Sequence, residues 1–241
     1  NGRDSLVTLA SFDTAVNQTP IPNWNLLAYY DIAPLRPELV RTLEFGYRAD
    51  LNRFHIDFNY YHSFYRDFIG FDIGLQPSFK DGFLSDVQVF RHAINAAKTV
   101  ETQGAGLALE YQWTNYLYLR GNYSWNRLIT QTDDPVIPAF NTPEHKYNLI
   151  VEGRAFPIGK SLKGSFQISY RWVEGFVFEG SPQFTGAIPS YDLLDAQLTF
   201  HFPQWNSRLK LGASNVLNDR QFQVYGGPRI GRLAYVSIQY Q

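Results

Sequence analysis

At 241 residues with a net charge of −1, the chain offers no electrostatic ground for binding nucleic acid or an anionic membrane surface. It contains no cysteine, which removes disulfide frameworks, cysteine-ligated metal sites and thiol nucleophiles. Aromatic residues make up 17% of it while the mean hydropathy is only −0.28, so apolar and polar side chains are finely interleaved. No apolar stretch reaches the roughly 18 residues of a membrane-spanning helix. Strands that cross a membrane are short and each gives a weak signal.

Residues 1–36 are rich in Asn, Thr, Pro and Asp and read as a loop region. The opening Asn1-Gly2-Arg3-Asp4 has neither the basic region nor the apolar core of a secretion signal, as expected of a mature or internal stretch. From residue 37 to 241 an alternation of period two takes over, the mark of strands with one apolar and one polar face. Leu43, Phe45 and Tyr47 oppose Thr42, Glu44 and Arg48. Phe54, Ile56, Phe58 and Tyr60 oppose Arg53, His55, Asp57 and Asn59. Ala105, Leu107, Leu109, Tyr111 and Trp113 oppose Gly104, Gly106, Glu110 and Gln112. Leu117, Leu119, Tyr123 and Trp125 oppose Tyr118, Arg120, Asn122 and Ser124. Tyr147, Leu149 and Val151 oppose Lys146, Asn148, Glu152 and Arg154. Leu162, Phe166, Ile168, Tyr170 and Trp172 oppose Lys163, Ser165, Gln167, Ser169 and Arg171, and Leu194, Ala196, Leu198, Phe200 and Phe202 oppose Asp195, Gln197, Thr199 and His201. Residues 209–216 and 232–241 complete about nine strands. No helical period is sustained.

The connections alternate in length. Short turns fall at 50–52, 114–115, 157–161 and 204–207, and long ones at 66–95, 129–143, 175–189 and 218–231. Short turns on one rim and long loops on the other is the pattern of an outer-membrane β-barrel, with periplasmic turns and extracellular loops. If the last strand ends in the periplasm, the first descends from outside and residues 1–36 fall in an extracellular loop. An odd count starting on that face implies part of a larger barrel. The predicted fold class is therefore all-β, the C-terminal part of a transmembrane antiparallel β-barrel.

One face carries Glu44, Arg48, Asp57, Glu110, Arg120, Lys146, Glu152, Arg154, Arg171 and Asp195, the polar residues predicted to line the lumen. The opposite face is nearly free of charge mid-strand, as lipid contact requires. Trp113, Trp125, Phe156, Trp172 and Trp205 stand at strand ends, where interfacial girdles form. His55, His62, His92, His145 and His201 are scattered over different segments and read as lumen-facing polar residues rather than metal ligands. Gly104-Ala105-Gly106 and Gly226-Gly227-Pro228 lack the following helix of a phosphate loop; the first reads as relief of crowding, the second as a turn. Phe64, Tyr65, Phe68, Phe71, Phe79 and Phe83 make one long loop aromatic, a surface that either hides its rings by folding on itself, the favoured reading, or offers them to a ligand or surface partner. No local signature joins a nucleophile, base and acid, so no catalytic residue and no cofactor is assigned.

Several segments resemble the C-terminal barrel of TonB-dependent receptors, especially those of Bacteroidota-type bacteria. Pro37-Glu38 before Thr42-Leu43-Glu44-Phe45-Gly46-Tyr47 is similar to a recurrent strand lead-in of the family. So are Arg91 to Lys98 with Thr102-Gln103-Gly104, though the family's acidic residue two positions on is Gly106 here, and Thr142-Pro143-Glu144-His145-Lys146-Tyr147-Asn148. The most specific match is Leu211-Gly212-Ala213-Ser214-Asn215-Val216-Leu217-Asn218, which resembles the penultimate-strand motif G-x-x-N-[LV]-[LF]-[ND]. In the terminal strand, Ala234, Val236, Ile238 and Tyr240 form the lipid-facing series that serves as the assembly signal. Its next member would be residue 242, where the family pattern leads us to expect an aromatic residue.

The resemblance implies a barrel of about 22 strands closed by an N-terminal plug, on which the TonB system pulls to admit a bound nutrient such as a siderophore, glycan or peptide. This chain would supply about the last nine strands, with lipid, the plug and the remaining strands as partners, TonB reached through the N-terminal part, and surface lipoproteins as further candidates. The alternative is a receptor-like barrel serving as a structural subunit of a larger outer-membrane complex.

Overall fold

A computed structural model describes residues 6–18, 20–129, 140–180 and 184–240. Strand β1 (Val7–Thr8) runs into α1 (Leu9–Val16), whose N-terminus is capped by Thr8: its Oγ1 accepts the Ser11 N–H at 3.2 Å. A helix of roughly two turns is too short to show a sustained period, which is why the alternation passed over it. There follow β2 (Leu39–Leu51), β3 (Phe54–Arg66), β4 (Ile69–Lys80), β5 (Phe83–Asn95), β6 (Val100–Gln112), β7 (Leu117–Leu128), β8 (His145–Ile158) and β9 (Leu162–Val173). The remainder are β10 (Phe176–Phe178), β11 (Gly186–Ile188), β12 (Tyr191–Phe202), β13 (Ser207–Ser214), β14 (Gln221–Phe222), β15 (Arg229–Ile230) and β16 (Leu233–Tyr240).

Nine strands form one sheet in the order β16-β13-β12-β9-β8-β7-β6-β3-β2, the nine segments picked out by alternation. Wall neighbours from β6 to β16 pair antiparallel, and each wall strand is followed in the chain by its wall neighbour except where other strands intervene, between β3 and β6, β9 and β12, and β13 and β16. Those three long connections are not irregular loops, as the sequence suggested, but contain hairpins. β4 and β5 pair along their length and join β1 in a three-stranded sheet, β10 pairs with β11, and β14 with β15. The fourth long connection falls largely outside the described residues. Asp67, in the left-handed region at φ +55°, breaks the chain between β3 and β4 and so obscures the hairpin's own alternation.

The short turns carry the chemistry their backbone needs. Asn52 and Asn206 take positive φ of 54° and 44°, and Gly159 takes 71°. In the β6–β7 turn the Thr114 hydroxyl accepts the N–H groups of Tyr116 and Leu117. β8 holds a feature that simple alternation misplaces. Its register slips between Gly153 and Phe156, with Ala155 at φ +46° as the extra residue. The Ser165 hydroxyl accepts the Ala155 N–H at 2.9 Å, so the bulge leaves no orphan donor there. The slip returns Phe156 and Ile158 to the same face as Val151, despite their opposite parity in sequence.

Two compact units divide the chain, one of Asn1–Arg41, Phe64–Glu101 and Ile129–Ala139, the other of Thr42–Ser63, Thr102–Leu128 and Phe140–Gln241. The first has a small apolar core of Leu6, Val7, Ala15, Leu75, Ala96 and Val100. The second is built on the long sheet, and its apolar face lies uncovered. Leu149 is 53% exposed, Ile168 46%, Val236 68% and Ile238 77%. A water-soluble sheet buries such a face against a second layer, whereas a barrel turns it to lipid. β2 and β16 each have one partner strand. Long open edges invite pairing, and the sheet is a partial barrel wall.

Candidate functional site: the polar wall of the sheet

Residues opposed across neighbouring strands share a face, so the register assigns every wall residue to a side. Leu198 faces Phe166 and Leu211, Ile168 faces Val151, and Leu149 faces Tyr170 and Gly121, a continuous apolar face. Ala234, Val236, Ile238 and Tyr240 lie on it too, opposite Ala213, Leu211, Leu209 and Ser207. Aromatic pairs cluster near the turns: Phe54 stacks on Tyr111 at 4.4 Å between ring centres and Phe202 on Trp205 at 5.5 Å. Tyr147 stacks on Trp172 at 5.4 Å nearer the long connections.

On the other face the charged residues form cross-strand rows. The main one spans β6, β7 and β8: Arg120 Nε lies 2.7 Å from Glu110 Oε2, and its Nη2 lies 3.3 Å from Glu152 Oε2. Arg154 donates to Glu152 Oε1 from Nε at 2.9 Å and stands over the Tyr118 ring at 4.2 Å. The row thus alternates in charge, Glu110, Arg120, Glu152, Arg154, each ion placed between or beside opposite ones. All four were predicted for this wall; Tyr118 was not picked out as a site residue, and the cation–π contact has no signature in sequence. Arg48 donates to Asp57 Oδ2 from Nε at 2.9 Å, closing a second pair on β2 and β3. Arg171 donates to Asn148 Oδ1 at 2.9 Å, and Asn148 Nδ2 donates to Asn122 Oδ1 at 2.8 Å, so a neutral row crosses β9, β8 and β7.

Glu44 and Lys146 share this face but make no ion pair among the described residues; Lys146 faces Ser124 and Val173. Gly104 and Gly106 lie under side chains of β3. A Cβ at Gly106 would stand 2.8 Å from Asn59 Oδ1, and one at Gly104 within 2.8 Å of the Tyr61 ring, so both glycines relieve crowding. Three of the five histidines leave the predicted wall; His62 lies between Tyr61 and Ser63, which bond to Asn126 and Thr42 on the polar side, and so falls with Tyr60 on the apolar side. His145 pairs with Trp125 at the end of the apolar face, where its Nδ1 lies 2.6 Å from the Tyr123 hydroxyl, and His92 belongs to the β4–β5 hairpin. Parity alone puts His145 with Tyr147 and Leu149; its polar type suggests the wall, but an interfacial strand end accepts a half-polar ring on the apolar side. The aromatic hairpin hides only part of its rings: Trp24 meets Phe79 edge-on at 5.1 Å and Arg91 covers Phe71, while Phe83 at the tip is exposed.

Asp195 has a more specific role than lining the wall. Its Oδ1 accepts the N–H of Asn215 at 2.8 Å. Asn215 is buried, at φ +51°, and its side chain grips both ends of the last long connection. Nδ2 donates to the carbonyls of Asp219 at 2.8 Å and Ile230 at 3.3 Å, and Oδ1 accepts the Asp219 N–H at 3.0 Å. Asn218, at φ +56°, accepts the Arg232 N–H at 3.0 Å on Oδ1. The two asparagines of the motif at 212–218 therefore staple a loop.

A family model for the TonB dependent receptor-like β-barrel matches residues 6–218. The chain belongs to this family. Solved TonB-dependent receptors share the fold at low identity. The FrpB iron transporter from Neisseria meningitidis (F3-3 variant) is 16% identical, with a TM-score of 0.60 over 87% of this chain and 32% of that one. The copper transporter OprC is 14% identical, with a TM-score of 0.65 over 85% and 31%. The siderophore receptor PirA from Acinetobacter baumannii is 16% identical, with a TM-score of 0.56 over 86% and 32%. A comparison with curated proteins gives no match by sequence. The chain thus spans about a third of the length of the receptors it resembles, as its partial TonB-dependent receptor barrel requires.

Proposed function

We propose that this chain is the last third of an outer-membrane uptake receptor, supplying nine wall strands and the long loops between them. The alternating ionic row on the polar wall carries the reading. Glu110, Arg120, Glu152 and Arg154 compensate one another across three strands while remaining partly accessible. Such a wall suits a surface against which a plug seats and from which it is pulled: fixed charges offer hydrogen bonds that are remade without leaving an uncompensated ion. The bound nutrient enters from the long-loop side, and TonB acts through the N-terminal part of the receptor. Iron, copper and siderophores, carried by the solved relatives, are the first substrates to test.

The test uses the full-length receptor in its own host. Deleting the gene is expected to abolish uptake of one labelled chelate or metal, with restoration by the intact gene but not in a strain lacking the TonB system. Arg120→Met, which leaves Glu110 and Glu152 without their shared cation, is expected to destabilise the receptor by about 1–3 kcal/mol. Uptake that persists without TonB, or no uptake phenotype beside loss of an outer-membrane complex, would favour a structural subunit instead.

A further inference from the structure

Within the unit of β1, β4, β5 and α1, one half-buried polar cluster contains a histidine whose ring nitrogens are both buried. Tyr30 donates from its hydroxyl to Asp72 Oδ2 at 2.7 Å and lies 3.2 Å from the Ile73 carbonyl. Asp72 Oδ1 accepts the Ile73 N–H at 2.7 Å. His92 stands directly opposite Asp72 in the β4–β5 ladder and meets the Tyr30 ring edge-on, 4.6 Å between centres. Both His92 ring nitrogens are buried and have no hydrogen-bond partner among the described residues. The same-face ladder neighbours are Gly70, Gly74, Phe90, Ile94 and, from β1, Thr8, none of them charged. Arg91 points to the other face, over Phe71. Among the described residues, Asp72 from β4 and Tyr30 from the N-terminal segment are thus the titratable groups facing His92.

We propose that Tyr30, Asp72 and His92 form an acid-released latch that fastens the segment 6–36 to the β4–β5 hairpin. With His92 neutral, the carboxylate of Asp72 is committed to Tyr30, and Tyr30 anchors a strip also held by its N–H on the Leu6 carbonyl and by Thr8 N–H on the Ala28 carbonyl. Protonation gives the ring a charge and two donors where no acceptor is placed. The imidazolium is satisfied by taking Asp72 from Tyr30 or by admitting water, and either loosens the strip. Burial holds the His92 pKa below its ordinary value, with Asp72 opposing the shift. The released state, with a more ordinary histidine, therefore binds the proton first. The latch is complete above pH ~6.5 and weakens as pH falls below it.

That acid would loosen a loop at the cell surface rests on the uptake-receptor reading, but the latch does not. Hydrogen exchange followed by mass spectrometry on the full-length receptor in detergent, at pH 7.5 and pH 5.5 with intrinsic rates corrected, measures it directly. Peptides over 24–36 and 69–80 are expected to lose protection several-fold in acid. His92→Phe, which keeps an apolar ring there, is expected to remove that response, and Tyr30→Phe to loosen the strip at both pH values. An unchanged wild-type pattern, or the same acid response in His92→Phe, would overturn the latch. Exchange needs no transport, so failure of the uptake reading shows separately as a missing TonB-dependent phenotype.

Discussion

Arginine in place of Ile168 is expected to cost the full-length receptor about 2–4 kcal/mol of stability in a bilayer, whereas arginine at the adjacent Gln167 should change it by no more than about 0.5 kcal/mol. The two residues are neighbours mid-strand in β9 and differ in the face they take. Ile168 pairs with Val151 and Ala196 on the apolar face; Gln167 pairs with Glu152 and Gln197 on the polar one. Near Gln167 the carboxylate of Glu152 would welcome a cation. At Ile168 the guanidinium would have to be carried into hydrocarbon or reach several ångströms to an interface. Urea unfolding of receptors reconstituted in lipid vesicles, read by heat-resistant mobility on a gel, gives both values. Equal costs at the two positions would deny that the apolar face meets lipid.

The second large effect is expected at Asn215. Its side chain makes three hydrogen bonds to the backbone at both ends of the last long connection, from a buried position at positive φ. Asn215→Ala deletes those bonds, leaves part-buried carbonyl and N–H groups without their partner at about 1–3 kcal/mol, and loses the local side-chain hydrogen bonding that lets asparagine tolerate the left-handed region. Asn215→Gly removes the bonds without the cost of the left-handed backbone and so should be the milder of the two. Asn215→Asp keeps the acceptor for the Asp219 N–H while losing the donors. A ranking of Asp and Gly above Ala, measured by limited proteolysis within 218–231 and by thermal unfolding, would support the staple. Wild-type behaviour in Asn215→Ala would remove it.

What the sequence made legible follows from the membrane's own constraint. A barrel wall with lipid on one side and polar contents on the other has a period of two, so the nine wall strands and the shared side of Glu110, Arg120, Glu152 and Arg154 could be read from spacing. The β4–β5 hairpin was missed because the break at Asp67 and the Asp81-Gly82 turn look like loop chemistry, and a hairpin folded on its own unit meets no such constraint. The bulge at Ala155 did leave a trace, the shift of parity between Val151 and Phe156, but a shift of parity also occurs where a strand simply ends. Which arginine meets which glutamate depends on inter-strand register, and that is set by pairing partners distant in sequence. The motif around Asn215 was visible as letters. Its task of stapling a loop appeared only when Asp219, Ile230 and Asp195 were seen to converge on it.

This chain contains no cysteine, so within it an introduced cysteine is the one labelling site. Single cysteines placed in turn at 163–172 of β9 in the full-length receptor, spin-labelled and reconstituted, report exposure to dissolved oxygen, which concentrates in lipid, against a water-soluble nickel chelate. A two-residue period is predicted, with oxygen accessibility peaking at Phe166, Ile168 and Tyr170 and falling at Ser165, Gln167 and Ser169. Uniform accessibility along β9, or peaks at the polar set, would contradict the assignment of this sheet as a lipid-facing barrel wall.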